Sequence, residues 1–97
     1  MKIRFGSISA HLGSRFAAAA VREKVISAIN RNEEVIFDFT GVETLSGTFA
    51  DECFARLIEN FSFEKIKGKT VYENASPFVK IAISNAFKHR LSQAVYA

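Results

Sequence analysis

The chain has a single cysteine and a single proline, and no apolar run approaches the roughly 18 residues that a membrane span needs. Its longest candidate, Phe16 to Val21, is mostly alanine and gives way to Arg22-Glu23-Lys24. Cys53 has no partner for an internal disulfide, which agrees with a reducing compartment. The opening Met1-Lys2-Ile3-Arg4-Phe5 carries two cations with no apolar core behind them, so no secretory leader is read there. The expectation is a cytoplasmic protein without a membrane span. Strong charge of one sign is also lacking. Thirteen Lys and Arg against ten Asp and Glu give +3, too little by itself to argue for a nucleic-acid partner. There is no internal repeat, low-complexity tract or linker, so residues 1–97 read as one domain.

The usual signatures of catalysis are missing too. Metal sites need three or four ligands at workable spacing, and Cys53, His11 and His89 lie far apart in sequence. No G-x-S-x-G elbow occurs. Gly68-Lys69-Thr70 matches the end of a P-loop, but Phe63 stands where its first glycine belongs and a strand, not a helix, follows. Cys53 falls on the inner stripe of a helix and reads as a buried, inert thiol. Asp51 and Glu52 point about 100° apart on a helix, as first-turn acids rather than a catalytic pair. The reading is no catalytic residue, no metal and no cofactor.

What is present is apolar material with clear periodicity. Hydrophobic residues make up 48%, including ten phenylalanines, and a chain of this length needs most of them inside. Lys2 to Phe5 alternates as a strand at an edge or with one buried face, and Gly6 to Gly13 reads as a loop or short extended segment. Ser14 caps a helix whose stripe is Ala18, Val21, Val25 and Ile29, ending over Asn30 to Glu33. Val35-Ile36-Phe37-Asp38-Phe39 predicts a strand buried on both faces. Thr48 with Asp51 predicts a capping box opening a second helix with the stripe Phe49, Cys53, Phe54, Leu57, Ile58 and Phe61. Ser62 to Lys69 reads as a polar connection, Thr70-Val71-Tyr72 as a strand, and Ser76-Pro77 as the start of a third helix. Ala94-Val95-Tyr96 is a candidate last strand. The order β-α-β-α-β-α-β predicts an α/β domain with a small, mostly parallel four-stranded sheet and about three main helices.

Charge is unevenly distributed along this order. Residues 1–33 carry six cations and two anions, residues 34–64 one cation (Arg56) and seven anions, and residues 65–97 six cations and one anion. Two readings stand: the acidic centre mixes with the basic ends on the folded surface, or it forms an acidic docking face.

Val35-Ile36-Phe37-Asp38-Phe39-Thr40-Gly41-Val42 followed by Leu45-Ser46-Gly47-Thr48-Phe49 resembles the core of STAS domains, the bacterial anti-sigma-factor antagonists. The helix from Ser14 to Asn30, the strand Thr70-Val71-Tyr72 and the segment Ser76-Pro77-Phe78-Val79 are similar to elements of that fold in the same order. Antagonists of this family carry Asp-Ser-Ser-Gly at the regulatory loop, and a partner kinase phosphorylates the first serine. Here, without gaps, Ser46 stands at the Asp, Gly47 at the phosphorylated serine, Thr48 at the second serine and Phe49 at the Gly. The run Ser46 to Glu52 looks more like the STAS-like families of unknown function.

The resemblance implies a non-enzymatic bacterial regulatory module that binds a protein partner, either an ATP-binding kinase or an anti-sigma-type protein. The implied partner surface is Ser46, Gly47, Thr48, Asp51, Glu52 and Arg56, with Ser46 and Thr48 as the available phosphoacceptors. Gly47 permits backbone conformations closed to other residues, and the helix start behind it can receive an anion. Reversing Asp51 and Glu52 to Lys is expected to abolish partner binding and leave the fold intact. Ser14 and Arg15 are candidates for an anion contact on the same rim, with Asp38 at the end of the central strand, where open α/β sheets take ligands. The alternative function is therefore a small-ligand sensor for a nucleotide or other anion at Asp38, Gly47 and Arg15. Arg90 suits the end of its own helix. Nucleic acid is set aside as a partner. A homo-oligomer stays open, because ten phenylalanines leave room for one or two exposed at a partner or self interface.

Overall fold

The computed structural model describes residues 1–96, with side chains through Gln93. Three parallel strands form the main sheet: β1 (Lys2–Arg4), β3 (Val35–Asp38) and β5 (Thr70–Glu73), in the order β1-β3-β5. Two further short strands, β2 (His11–Leu12) and β4 (Thr44–Leu45), pair in parallel as a separate ribbon. Four helices complete the chain: α1 (Arg15–Asn30), α2 (Gly47–Cys53), α3 (Phe63–Lys69) and α4 (Pro77–Tyr96). The α/β class and the parallel sheet match the expectation. The four-stranded sheet does not. Residues 94–96, expected as the last strand, continue α4. Of the two readings of Gly6 to Gly13, loop or short extended segment, the second holds at β2, which the chain reaches through a 3-10 turn over Phe5–Ser7.

The register puts Ile3, Phe37 and Tyr72 abreast, and Lys2, Ile36 and Val71 abreast on the neighbouring row. Side chains alternate across a sheet, so these rows lie on opposite faces. On the first face Val35 and Phe37 are fully buried, and Phe39 continues their line. On the second, Ile36 is half-buried and Lys2, Arg4 and Val71 are exposed. The central strand is therefore not buried on both faces. The helices pack on the first face, where Phe5, Phe37, Phe39, Phe49 and Phe54 form one aromatic cluster, all fully or almost fully buried. Phe5 stacks on Phe39 at 4.9 Å between ring centres and meets Phe49 edge-on at 6.1 Å, offset and edge-to-face geometries that favour both pairs.

Two backbone details hold this layer. A Cβ on Gly6 would lie 2.0 Å from the carbonyl oxygen of Thr40, so only glycine lets the end of β1 cross the turn after β3 this closely. Gly41, in that turn, has φ +82°, which favours glycine. The second helix is also shorter than its stripe predicts. It breaks at Phe54 and resumes as a 3-10 turn over Ala55–Glu59. Glu52, Cys53, Phe54 and Ala55 are all buried in succession, which a straight helix turning 100° per residue does not achieve against one neighbour. The segment read as a polar connection is α3, capped by Ser62, whose hydroxyl accepts from the Lys65 amide at 3.1 Å. Ile66 is its buried anchor.

Candidate functional site

The β2–β4 ribbon builds a rim from two distant stretches of sequence. The Ser46 amide donates to the Leu12 carbonyl at 2.9 Å, and His11 Nδ1 lies 2.8 Å from Thr44 Oγ1. This pairing sets the start of α1 beside the start of α2. Ser14 caps α1 by accepting from the Ala17 amide at 3.1 Å, and Ser46 caps α2 by accepting from the Phe49 amide at 3.0 Å. The Cβ position of Gly13 is 3.9 Å from Ser46 Oγ, so the two caps are neighbours. The starts of α1 and α2 therefore adjoin through Gly13. A recess of about 260 Å³ beside Ser46 is lined by His11, Gly13, Thr44, Ser46 and Phe78.

Two local expectations at this rim change. Ser46, not Thr48, is the cap of α2, so the Thr48–Asp51 capping box is not formed and Asp51 falls beyond the first turn. Thr48 is exposed and plays no capping role. Gly47 opens α2 without a positive φ, so its conformational freedom is unused. A Cβ there would meet nothing within 4 Å, so the position is open to a larger side chain.

The acids that follow are turned toward the rest of the molecule. Asp51 forms a two-pronged pair with Arg90 of α4, at 2.6 Å from Nε and 2.7 Å from Nη2. The Arg90 bond holds the Asp51 carboxyl below its ordinary range. The Glu52 side chain is 12% exposed and sits between Arg56 at 2.7 Å and Arg22 of α1 at 3.2 Å. Arg22 also bonds the Glu52 carbonyl. Hydrogen bonding from Arg56 first, with Arg22 adding to it, lowers the Glu52 pKa. Arg56 and Arg90 both reach Glu59 as well, at 3.2 Å. The acidic centre of the sequence is thus met by cations from both basic ends, and the mixed-charge reading holds for these residues. A lysine at Glu52 would set three cations together in a nearly closed space, so the expectation that this reversal leaves the fold intact is withdrawn.

Asp38 lies near the sheet's second face and is almost buried. It accepts from Asn74 Nδ2 at 3.1 Å, from the Thr40 amide at 3.0 Å and from Thr40 Oγ1 at 2.7 Å, with Lys2 Nζ at 3.8 Å. These bonds, that of Asn74 foremost, hold its pKa down to about 2. It clasps the turn after β3 to the turn after β5. Arg15, the first residue of α1, is exposed and makes no ion pair among the described residues. Cys53 is fully buried, and burial pushes its thiol pKa up. Among the described residues, no group of three His, Cys, Asp or Glu is placed to hold a metal ion. No helix is long and apolar enough to cross a membrane among those residues.

Sequence reasoning gave no site role to Phe16, Phe78 or Arg22, and it read Arg90 as suiting the end of its own helix, whereas α4 runs on to Tyr96 and Arg90 pairs with Asp51. Phe16 is 88% exposed in the first turn of α1, and Phe78 is 59% exposed in the first turn of α4. Both lie off the inner stripes of their helices, and that was the available signal. Arg22 flanks the Ala18–Val25 stripe, and its role depends on a contact thirty residues away.

A sequence model of a family described as a STAS-like domain of unknown function matches residues 17–80. No curated protein and no solved structure matches the chain.

Proposed function

The chain belongs to the STAS-like domains of unknown function, and on that premise we propose that it is a regulatory module acting by docking a protein partner at the rim of Ser46, Gly47 and Thr48. One observation carries the reading: the recess beside Ser46 is lined by the exposed Phe78, and a second exposed phenylalanine, Phe16, stands two residues after Ser14 in the first turn of α1. Burying each against a partner is worth about 1.5–3 kcal/mol, and aromatic anchors of this kind dominate interfaces. Asp51 and Arg56 belong to the proposed surface, and the Glu52 pairs with Arg22 and Arg56 support it by fixing the helix that follows the rim. The partner class that fits the family resemblance is an ATP-binding kinase or an anti-sigma-type protein. Thr48 and Ser46 are the hydroxyls that such a kinase would modify. A phosphate there adds about −1.5 to −2 charges beside Glu43 and changes what docks.

The test starts from tagged protein in native-host lysate, with and without ATP, read by mass spectrometry for partners and for phosphate on Ser46 and Thr48. The recovered partner is then titrated against the wild type and against the Phe16→Ser, Phe78→Ser double variant. Loss of at least tenfold in affinity, with unchanged thermal stability, supports the rim. Equal binding by the folded double variant, or no ATP-binding or anti-sigma-type protein recovered, refutes the proposal.

A further inference from the structure

A second surface lies away from the rim, and it is built from the basic block at residues 65–97. A groove of about 600 Å³ runs between α3 and α4 beside β5. One wall is the α4 face of Lys80, Ile83, Phe87, Lys88 and Leu91, spaced as i, i+3, i+7, i+8 and i+11. The other wall is Phe63, Ile66 and Lys67 of α3, and the floor is Thr70 and Tyr72 of β5. Three lysines line it and no acid does. Among the described residues none of the three lysines is in an ion pair, although Arg90, nearby in sequence, is doubly paired. The Lys67 ammonium lies 5.7 Å over the Phe63 ring, at the groove wall.

The floor adds an independent feature. β5 is an edge strand, paired only with β3 among the described residues. The Phe39 amide donates to the Glu73 carbonyl at 2.9 Å, so Glu73 faces β3 with its backbone groups. By the alternation of a parallel ladder, Tyr72 turns its N–H and C=O to the open side. Val71 and Tyr72 are both exposed there.

We infer that this groove and edge take an extended acidic–apolar segment of another protein, which adds as a strand to β5 and sets apolar side chains into the groove. Strand addition supplies backbone bonds, and alternate side chains fill a neighbouring pocket. Charge selects the occupant. Lys80 and Lys88 are eight helical residues apart, about 12 Å, with Lys67 on the facing wall. Cations spread along both walls suit a segment with several carboxylates, whereas a single-headed amphiphile engages one end. A second copy of this chain is a poor source of that segment, because four of the seven acids of its centre, Asp38, Asp51, Glu52 and Glu59, are already paired within the fold. The surface is distinct from the rim, so its failure leaves the rim proposal standing.

The experiment uses a panel of labelled, end-blocked eight-residue peptides that alternate Glu or Asp with Val, Leu or Phe. A Lys-for-Glu panel and dodecanoate serve as the comparison arms. Binding is followed by fluorescence anisotropy on the whole chain, and the site by amide hydrogen exchange. The expected result is binding by acidic peptides, weakened at high salt, at least tenfold weaker in Lys80→Glu, Lys88→Glu and unchanged in the Phe16→Ser, Phe78→Ser variant. Exchange at the Tyr72 amide slows in the complex. Four outcomes overturn the inference: no acidic peptide binds, or the lysine panel binds as well, or the lysine variant binds normally, or Tyr72 gains no protection. Dodecanoate binding where no peptide binds identifies the groove as an amphiphile site instead.

Discussion

Replacing Glu52 with Gln keeps the shape of the side chain and removes its charge. The Glu52 and Arg22 side chains are 12% and 11% exposed, and Arg56 completes the group at 2.7 Å. Hydrogen bonds to charged partners are worth about 1.5–3 kcal/mol against about 1 for neutral ones, and the substitution also leaves the Arg22 guanidinium without its counter-charge. Full burial would put the cost of breaking such a pair at about 3–5 kcal/mol. Residual exposure reduces it, giving an expected loss of about 2–4 kcal/mol. A domain of this size has about 5–15 kcal/mol in all and shifts about 4–8 °C per kcal/mol, so the melting temperature falls by at least about 8 °C. Urea unfolding followed by circular dichroism measures the loss. A double-mutant cycle with Arg22→Met separates the pair from its surroundings, with an expected coupling of about 1 kcal/mol or more. The sign with pH follows from the lowered Glu52 pKa. Its contribution is complete above the ordinary carboxylate value of 4.5 and drains away as pH falls toward the lower folded value. The Gln variant loses that part of the pH dependence. A Gln variant within about 0.5 kcal/mol of the wild type, with no coupling to Arg22, refutes the argument that this pair anchors α2.

Asp38 is held down to about 2 from an ordinary 3.8, so its contribution to stability is present above pH 3.8 and is lost as pH falls toward 2. Acid unfolding of Asp38→Asn should show a shallower slope over that interval than the wild type, and identical slopes would discard the clasp. Gly6→Ala drives a methyl group against the Thr40 carbonyl and should cost about 3 kcal/mol or more, whereas Gly47→Ser, entering open space, should stay within about 0.5 kcal/mol. Thermal melts of the two variants decide this, and equal losses would contradict the geometry. The Cys53 thiol, fully buried with its pKa raised, should resist a maleimide in the folded protein and react at once in urea. Stoichiometric labelling of the native chain would show that α2 opens.

The sequence disclosed elements where one residue type served one purpose. Ser14 before an alanine-rich stripe, Pro77 at a helix start and the β-branched run at Val35 each led to the right element. It failed where two demands met in the same residues. Phe54 belongs to a helical stripe, but burying Glu52 through Ala55 together required a break that periodicity does not encode. Lys65, Lys67 and Gly68 made α3 look like a loop, although Ser62 and Ile66 marked its cap and its anchor. The site divides in the same way. Ser46, Gly47 and Thr48 could be placed on a helix start from sequence. That Gly13 lies against Ser46, and that Arg22 and Arg90 neutralise the acids beside it, depends on contacts across thirty residues or more.

The one-sided growth of the sheet bears on how the chain assembles during synthesis. β1 pairs with β3 across about 34 positions, and β3 pairs with β5 across about 35. Each pairing waits for a long stretch of chain, so closure of these large loops, rather than local hairpin formation, limits the rate. The order of addition is also the order of translation: β3 docks on the edge of β1, and β5 docks on the edge that β3 leaves open. A nascent chain halted after α2 would carry β3 with a row of unpaired backbone N–H and C=O groups on the side that β5 later takes, and that open edge would be the surface that a chaperone meets first.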